Sequence, residues 1–174
     1  MKKHRHQIRT LALEIRSGRM AFAVLEGATH LLETGIRRWQ SKVNPAKSAM
    51  ERIDPVLALY SPAVVVLKKL GHGSRLKKRR DVILAVKWNL AKHFIELHMI
   101  ERNDVRNAFH QSGSKNKHLV AVAIAQMFPE LKWKLPQKRR PWQPERYNAA
   151  IFDAVALALT CRSRCPVPDS TSDS

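Results

Sequence analysis

The chain has 174 residues, and its 32 Lys and Arg outweigh 14 Asp and Glu, for a formal net charge of +18. That length suits one domain with a real core. The charge points to a polyanionic partner, with nucleic acid first; an anionic membrane surface is disfavoured because no long basic amphipathic helix stands out. A merely solubilising basic surface is the competing reading.

Residues 1–7 form a basic arm, Met1-Lys-Lys-His-Arg-His-Gln7. Glu14, Arg16 and Arg19 break the apolar region that an export signal needs, and no apolar run approaches a bilayer span, so the expected location is cytoplasmic. Leu11–Ile15 alternates, with Leu11, Leu13 and Ile15 on one face and Ala12, Glu14 and Arg16 on the other. Ser17-Gly18 turns the chain into Met20–Leu25, and Glu26-Gly27 turns it again into a third strand, His30–Ile36. These three strands predict an antiparallel meander.

Residues 45–59 carry apolar side chains at helical spacing, but Pro55 argues against an unbroken helix. Ala63–Leu67 reads as a strand buried on both faces, as in a parallel sheet. Gly71–Arg80 reads as a basic loop, residues 81–95 as a helix that includes Trp88 and Phe94, and Leu97–Ile100 as a fifth strand. Asn103 or Asp104 is expected to cap a short helix through Phe109. His118–Phe128 is a further helix, residues 129–144 are irregular, and Pro144-Glu145 opens the last helix. The Pro- and Ser-rich end, 162–174, is expected to be a disordered tail. Cys161 and Cys165 are the only cysteines, too few for a four-ligand zinc site without paired histidines.

Asp153 is the residue that most demands an explanation. Its neighbours three and four positions away, Ala149, Ala150, Ala156 and Leu157, are apolar. A lone carboxylate there costs several kcal/mol unless a cation, a donor or a proton meets it. Arg5, Arg9 or Arg16 could be that cation. Glu14 poses the same question on the first strand, where a solvated sheet face is the plain alternative.

The order β-β-β-α-β-α-β-α-α-α is that of a mixed α/β sheet with helices on its faces. It resembles the ribonuclease H-like fold, and in detail the RuvC-type Holliday-junction resolvases. The hairpin Leu11–Leu25 carries the likeness, as do Asp104–Phe109, Lys115–His118, Ile124–Leu131, Leu135–Trp142 and Glu145–Leu157, across residues 8–161. The resemblance implies a five-stranded sheet of three antiparallel strands followed by parallel ones. It also implies a metal-dependent, structure-selective endonuclease acting on branched DNA, with Mg2+ or Mn2+ held by carboxylates, and it suggests a homodimer. By position, Glu14 and Asp153 stand where that family has metal-binding aspartates.

Two departures bear on activity. Lys68 stands where the family places a glutamate, and Ala150 stands where many resolvases have an acid or a histidine. Three explanations stay open at this point. Glu101 could supply a displaced metal ligand, Lys68 could occupy the metal's place and pair with Glu14 and Asp153, or the correspondence at Lys68 could be shifted; in an active enzyme Lys68 would instead be an electrostatic helper beside Glu14 and Asp153. If Lys68 pairs with the acids, the domain binds nucleic acid without cutting it.

In such a fold the basic segment Arg75, Lys77, Lys78, Arg79 and Arg80 lies near the site and is expected to touch phosphates, with a solvated loop as the alternative. Lys115 and Lys117 at a helix start, and Lys138, Arg139 and Arg140 beside Trp142, extend that footprint. Trp142 itself is expected to anchor its loop on the core. None of these residues predicts reading of a base sequence.

Overall fold

The computed structural model describes residues 8–40, 43–71, 77–110, 113–114, 116–138, 140, 142 and 147–164. Five strands, β1 (Arg9–Arg16), β2 (Arg19–Glu26), β3 (His30–Arg38), β4 (Val64–Lys68) and β5 (Glu96–Ile100), form one sheet in the order β3-β2-β1-β4-β5. The meander β1-β2-β3 is antiparallel, as the patterning predicted, and β1, β4 and β5 are parallel, as the resemblance implied. Helices α1 (Pro45–Tyr60), α2 (Lys77–Lys92), α3 (Arg102–His110), α4 (Lys117–Met127) and α5 (Ala149–Arg164) complete the fold, with a 3-10 turn at Pro129–Lys134.

Strand alternation divides the core in two. Leu11, Leu13, Ile15, Val65 and Leu67 pack with α1 and α2 on one face. Ala12, Ala21, Ala23, Val64 and Val66 pack on the other with α5, joined by residues of α3 and α4. The second face is built of small residues, and α5 meets it with Ala154 and Ala158, neither of which is exposed. Alanine against alanine lets the helix lie close to β1 and β2.

Several elements depart from their sequence reading. Helix α1 is unbroken through Pro55. The N–H that proline lacks would have bonded the carbonyl of Glu51, and both residues are exposed, so water can satisfy that carbonyl. Helix α2 starts at Lys77, so Lys77–Arg80 are its first turn and not part of a loop. Phe94 falls beyond the helix, at φ 55° and 97% exposed. The start of α3 is closed by Asp104 accepting from the Glu101 N–H at 2.9 Å, an arrangement in which Asp104 reaches back from inside the helix and does not stand at its cap. Asn116 caps α4 by accepting from the Leu119 N–H at 3.0 Å. Helix α5 begins at Ala149 and runs to Arg164, beyond the expected end of the domain at 161. Pro144, Glu145, the arm 1–7 and the end 165–174 lie outside the described residues.

The close seat of α5 gives a direct test. Ala154→Leu overfills the alanine layer and is expected to cost about 1–3 kcal/mol, read as a lower urea midpoint with an unchanged slope.

Candidate nucleic-acid site

The site forms where three chain segments end together. Ala12, Glu14 and Arg16 share one face of β1, and Val64, Val66 and Lys68 share the same face of β4. The parallel register pairs Leu13 with Leu67, so Glu14 and Lys68 arrive side by side at the next step. Helix α5 crosses this face and brings Asp153 to the same place.

Glu14 is 2% exposed. Its Oε1 lies 3.6 Å from Arg16 Nε and 3.6 Å from Lys68 Nζ. Its Oε2 is enclosed and has no hydrogen-bond partner among the described residues. Asp153 Oδ2 accepts from Arg16 Nη2 at 2.5 Å and from Lys117 Nζ at 2.9 Å. Arg16 therefore touches both acids, one with Nε and the other with Nη2. Of the three arginines considered as partners for Asp153, Arg16 is the one that reaches it; Arg9 instead holds Glu26 at 2.9 Å, and Arg5 lies outside the described residues.

Burial is the strongest influence on Glu14 and pushes its carboxyl up. Lys68 pulls it back, Asp153 adds to the rise, and Arg16 and Arg79 pull it back further, leaving the pKa above the ordinary 4.5. The solvated sheet face considered for Glu14 does not exist, because α5 and its neighbours cover it.

Glu14, Lys68, Lys117 and Asp153 line a cavity of about 250 Å³, with Arg102 and Arg106 of α3 also in its wall. An adjoining cleft of about 520 Å³ shares Lys68, Arg102, Lys117 and Asp153 and extends to Lys138. Arg102 and Arg106, one turn apart, escaped the sequence reading. Their i, i+4 spacing on a short helix was the available signal, and nothing in the sequence alone said which way that face points.

Other expected residues lie elsewhere. Glu101 holds Lys69 at 2.7 Å and does not line the cavity. Arg79 is a brace: its Nε and Nη2 both donate to the Ile15 carbonyl, at 3.0 and 2.7 Å, tying α2 to the end of β1. Burial lowers its pKa most strongly. Lys78 and Arg79 line a separate cleft of about 430 Å³ with Arg16 and Trp39. Lys77 is exposed and Arg80 half-buried on the same turn of α2. Trp142 is 74% exposed and does not anchor its loop on the core; Arg140 lies over its ring at 5.6 Å. Arg75, Lys115 and Arg139 lie outside the described residues.

The donor set does not fit a divalent metal centre. Hard cations need several oxygen ligands, whereas Glu14 and Asp153 each face ammonium or guanidinium groups. Positions 68 and 150, where further ligands were sought, are lysine and alanine. Among the described residues no group of three or more His, Cys, Asp or Glu converges.

No family model matches the sequence, and no curated protein matches it. Solved structures do. The chain is similar to Thermus thermophilus RuvC in complex with a Holliday junction substrate, at TM-score 0.67 and 16% identity over 90% of this chain and 95% of that one. It is similar to the yeast mitochondrial Holliday junction resolvase at 0.62 and 10%, over 88% and 77%. It is also similar to the fowlpox virus resolvase with its substrate junction DNA at 0.55 and 14%, over 90% and 98%. The fold is ribonuclease H-like. More narrowly, it is that of the RuvC-like Holliday junction resolvases.

Two outcomes follow from the geometry. Arg16→Ala leaves both acids short of a cation and is expected to cost about 3–5 kcal/mol, measured by urea denaturation. Because the Glu14 pKa is raised in the folded state, the native protein binds that proton more tightly than the unfolded chain. The resulting stabilisation is fully present below pH 4.5 and lost as pH rises through the folded value. Glu14→Gln, which mimics the protonated acid, is expected to melt higher than the parent at pH 8, with the gain shrinking toward pH 4.5. Melting curves at the two pH values check this.

Proposed function

We propose that this domain binds branched DNA and leaves its phosphodiesters uncut. One observation carries the reading: Arg16 and Lys68 neutralise the two acids at the position where a resolvase would be expected to hold its metals. Cleavage of a phosphodiester needs an activated water and a charge to stabilise the developing phosphorane-like oxygens. Here the carboxylates are engaged by basic side chains of the same chain. Fold alone does not confer activity, and this arrangement supports grip without hydrolysis.

Branched DNA is favoured over a generic polyanion by shape. The fold is shared with two proteins solved with Holliday junction DNA, and the net charge of +18 suits a DNA backbone. A homodimer, which presents two equivalent cavities to a two-fold symmetric junction, belongs to the same reading.

The competing reading is a metal-dependent endonuclease. It draws on the adjacency of Glu14 and Asp153 and on the unpartnered Glu14 Oε2, and it requires Arg16 and Lys68 to swing away. An incubation of purified protein with a labelled four-way junction separates the two. The expected result is a retarded complex and intact strands, with Mg2+ or Mn2+ present. Paired symmetric cuts that Asp153→Asn abolishes would establish the endonuclease.

A further inference from the structure

We infer that the cavity beside Glu14 is a metal-free phosphate seat, in which Lys68, Arg102, Arg106 and Lys117 directly hold one phosphodiester of the bound DNA. The inference rests on the DNA-binding reading and deepens it by assigning the contact.

Charge is the first ground. The cavity wall carries four cations, Lys68, Arg102, Arg106 and Lys117, against only Glu14 and Asp153, and Arg16, outside that wall, meets both acids. The acids are matched by Arg16, Lys68 and Lys117 within 3.6 Å. Arg102 and Arg106 make no ion pair with any described residue, so their charge is left for a ligand. Two guanidiniums one turn apart present the planar donor forks that suit phosphate oxygens.

Neutral donors are the second ground. Asn116 spends its side-chain oxygen capping α4, which leaves its amide N–H groups at the cavity wall. Helix α4, eleven residues long, starts at this wall, and its positive end favours an anion there.

The third ground is the size and shape of the opening. A volume of about 250 Å³ accommodates a phosphate group with its flanking sugar atoms and not a whole base pair. The adjoining cleft toward Lys138 gives the strand a way in and out. Glu14 and Asp153 are then positioning residues: they hold Lys68 and Lys117 at the cavity wall.

The test is fluorescence anisotropy of a labelled four-way junction across a salt series, in EDTA and in Mg2+. Wild-type protein is expected to bind in EDTA without any need for Mg2+, which acts only as a competing counterion. Arg102→Gln with Arg106→Gln is expected to weaken binding about tenfold and to flatten the salt slope by about one, the signature of a single lost phosphate contact. Lys87→Gln with Lys92→Gln, an equal loss of charge on exposed α2 positions across the sheet, is expected to change affinity by less than about twofold. Both doubles replace exposed helical side chains, and their melting temperatures confirm that they fold.

Equal weakening by the two doubles would assign the effect to general electrostatics and overturn the seat. So would binding that collapses in EDTA and returns with Mg2+. Broadening of the inorganic phosphate 31P line that the Arg102/Arg106 double abolishes, with junction affinity unmoved, would mark a free-phosphate site and overturn the DNA contact. A wild type that fails to bind the junction in any buffer would remove the DNA-binding reading itself.

Discussion

Arg16 standing between Glu14 and Asp153 is the interaction on which the rest of this structure depends. The two carboxylates come from opposite ends of the chain, one at the centre of the sheet and one on the last helix. The alanine layer between α5 and β1–β2 draws them together in a poorly solvated place, where like charges repel strongly. One guanidinium, two residues after Glu14 and on the same strand face, meets both acids. The planar fork of arginine suits that task better than a lysine would. Lys68 and Lys117 then complete the compensation from β4 and α4.

The same arrangement decides the electrostatics of the cavity. A pair of buried acids ordinarily makes a site negative and receptive to cations. Here cations of the chain already surround the acids, and Arg102 and Arg106 make the wall positive in excess. The attraction therefore runs toward an anion. The Glu14 pKa follows the same conflict: burial, with Asp153 adding to it, raises the carboxyl against the pull of Lys68, Arg16 and Arg79. An ion pair so enclosed stabilises little by itself, but removing the Arg16 guanidinium leaves the acids it meets with an uncompensated desolvation penalty.

Much of the scaffold was legible from periodicity. Strict alternation in 11–15, the glycine turns at 18 and 27, and the β-branched run 63–67 each report a local preference that the fold obeys. Boundaries were less legible. Pro55 sits on the solvent side of α1, where a missing N–H costs little, and the basic turn 77–80 is helical because Arg79 is tied to the Ile15 carbonyl. Neither circumstance is visible along the chain. Trp142 was misplaced for a related reason: a ring's burial depends on what lies opposite it.

The pairing of residues followed the same division. By itself the sequence determined that Glu14 and Asp153 needed partners, because an acid among apolar neighbours is costly wherever it folds; that Lys68 stands where a carboxylate is expected was implied by the family resemblance. Only the tertiary structure decided which partners they have. Arg16 rather than Arg9 reaches Asp153, Glu101 turns to Lys69, and Arg102 and Arg106 face the cavity. Local composition sets how much a buried charge costs; the choice of compensating charge depends on distances of a few ångströms between segments far apart in the chain, and Coulomb energy falls off with that distance.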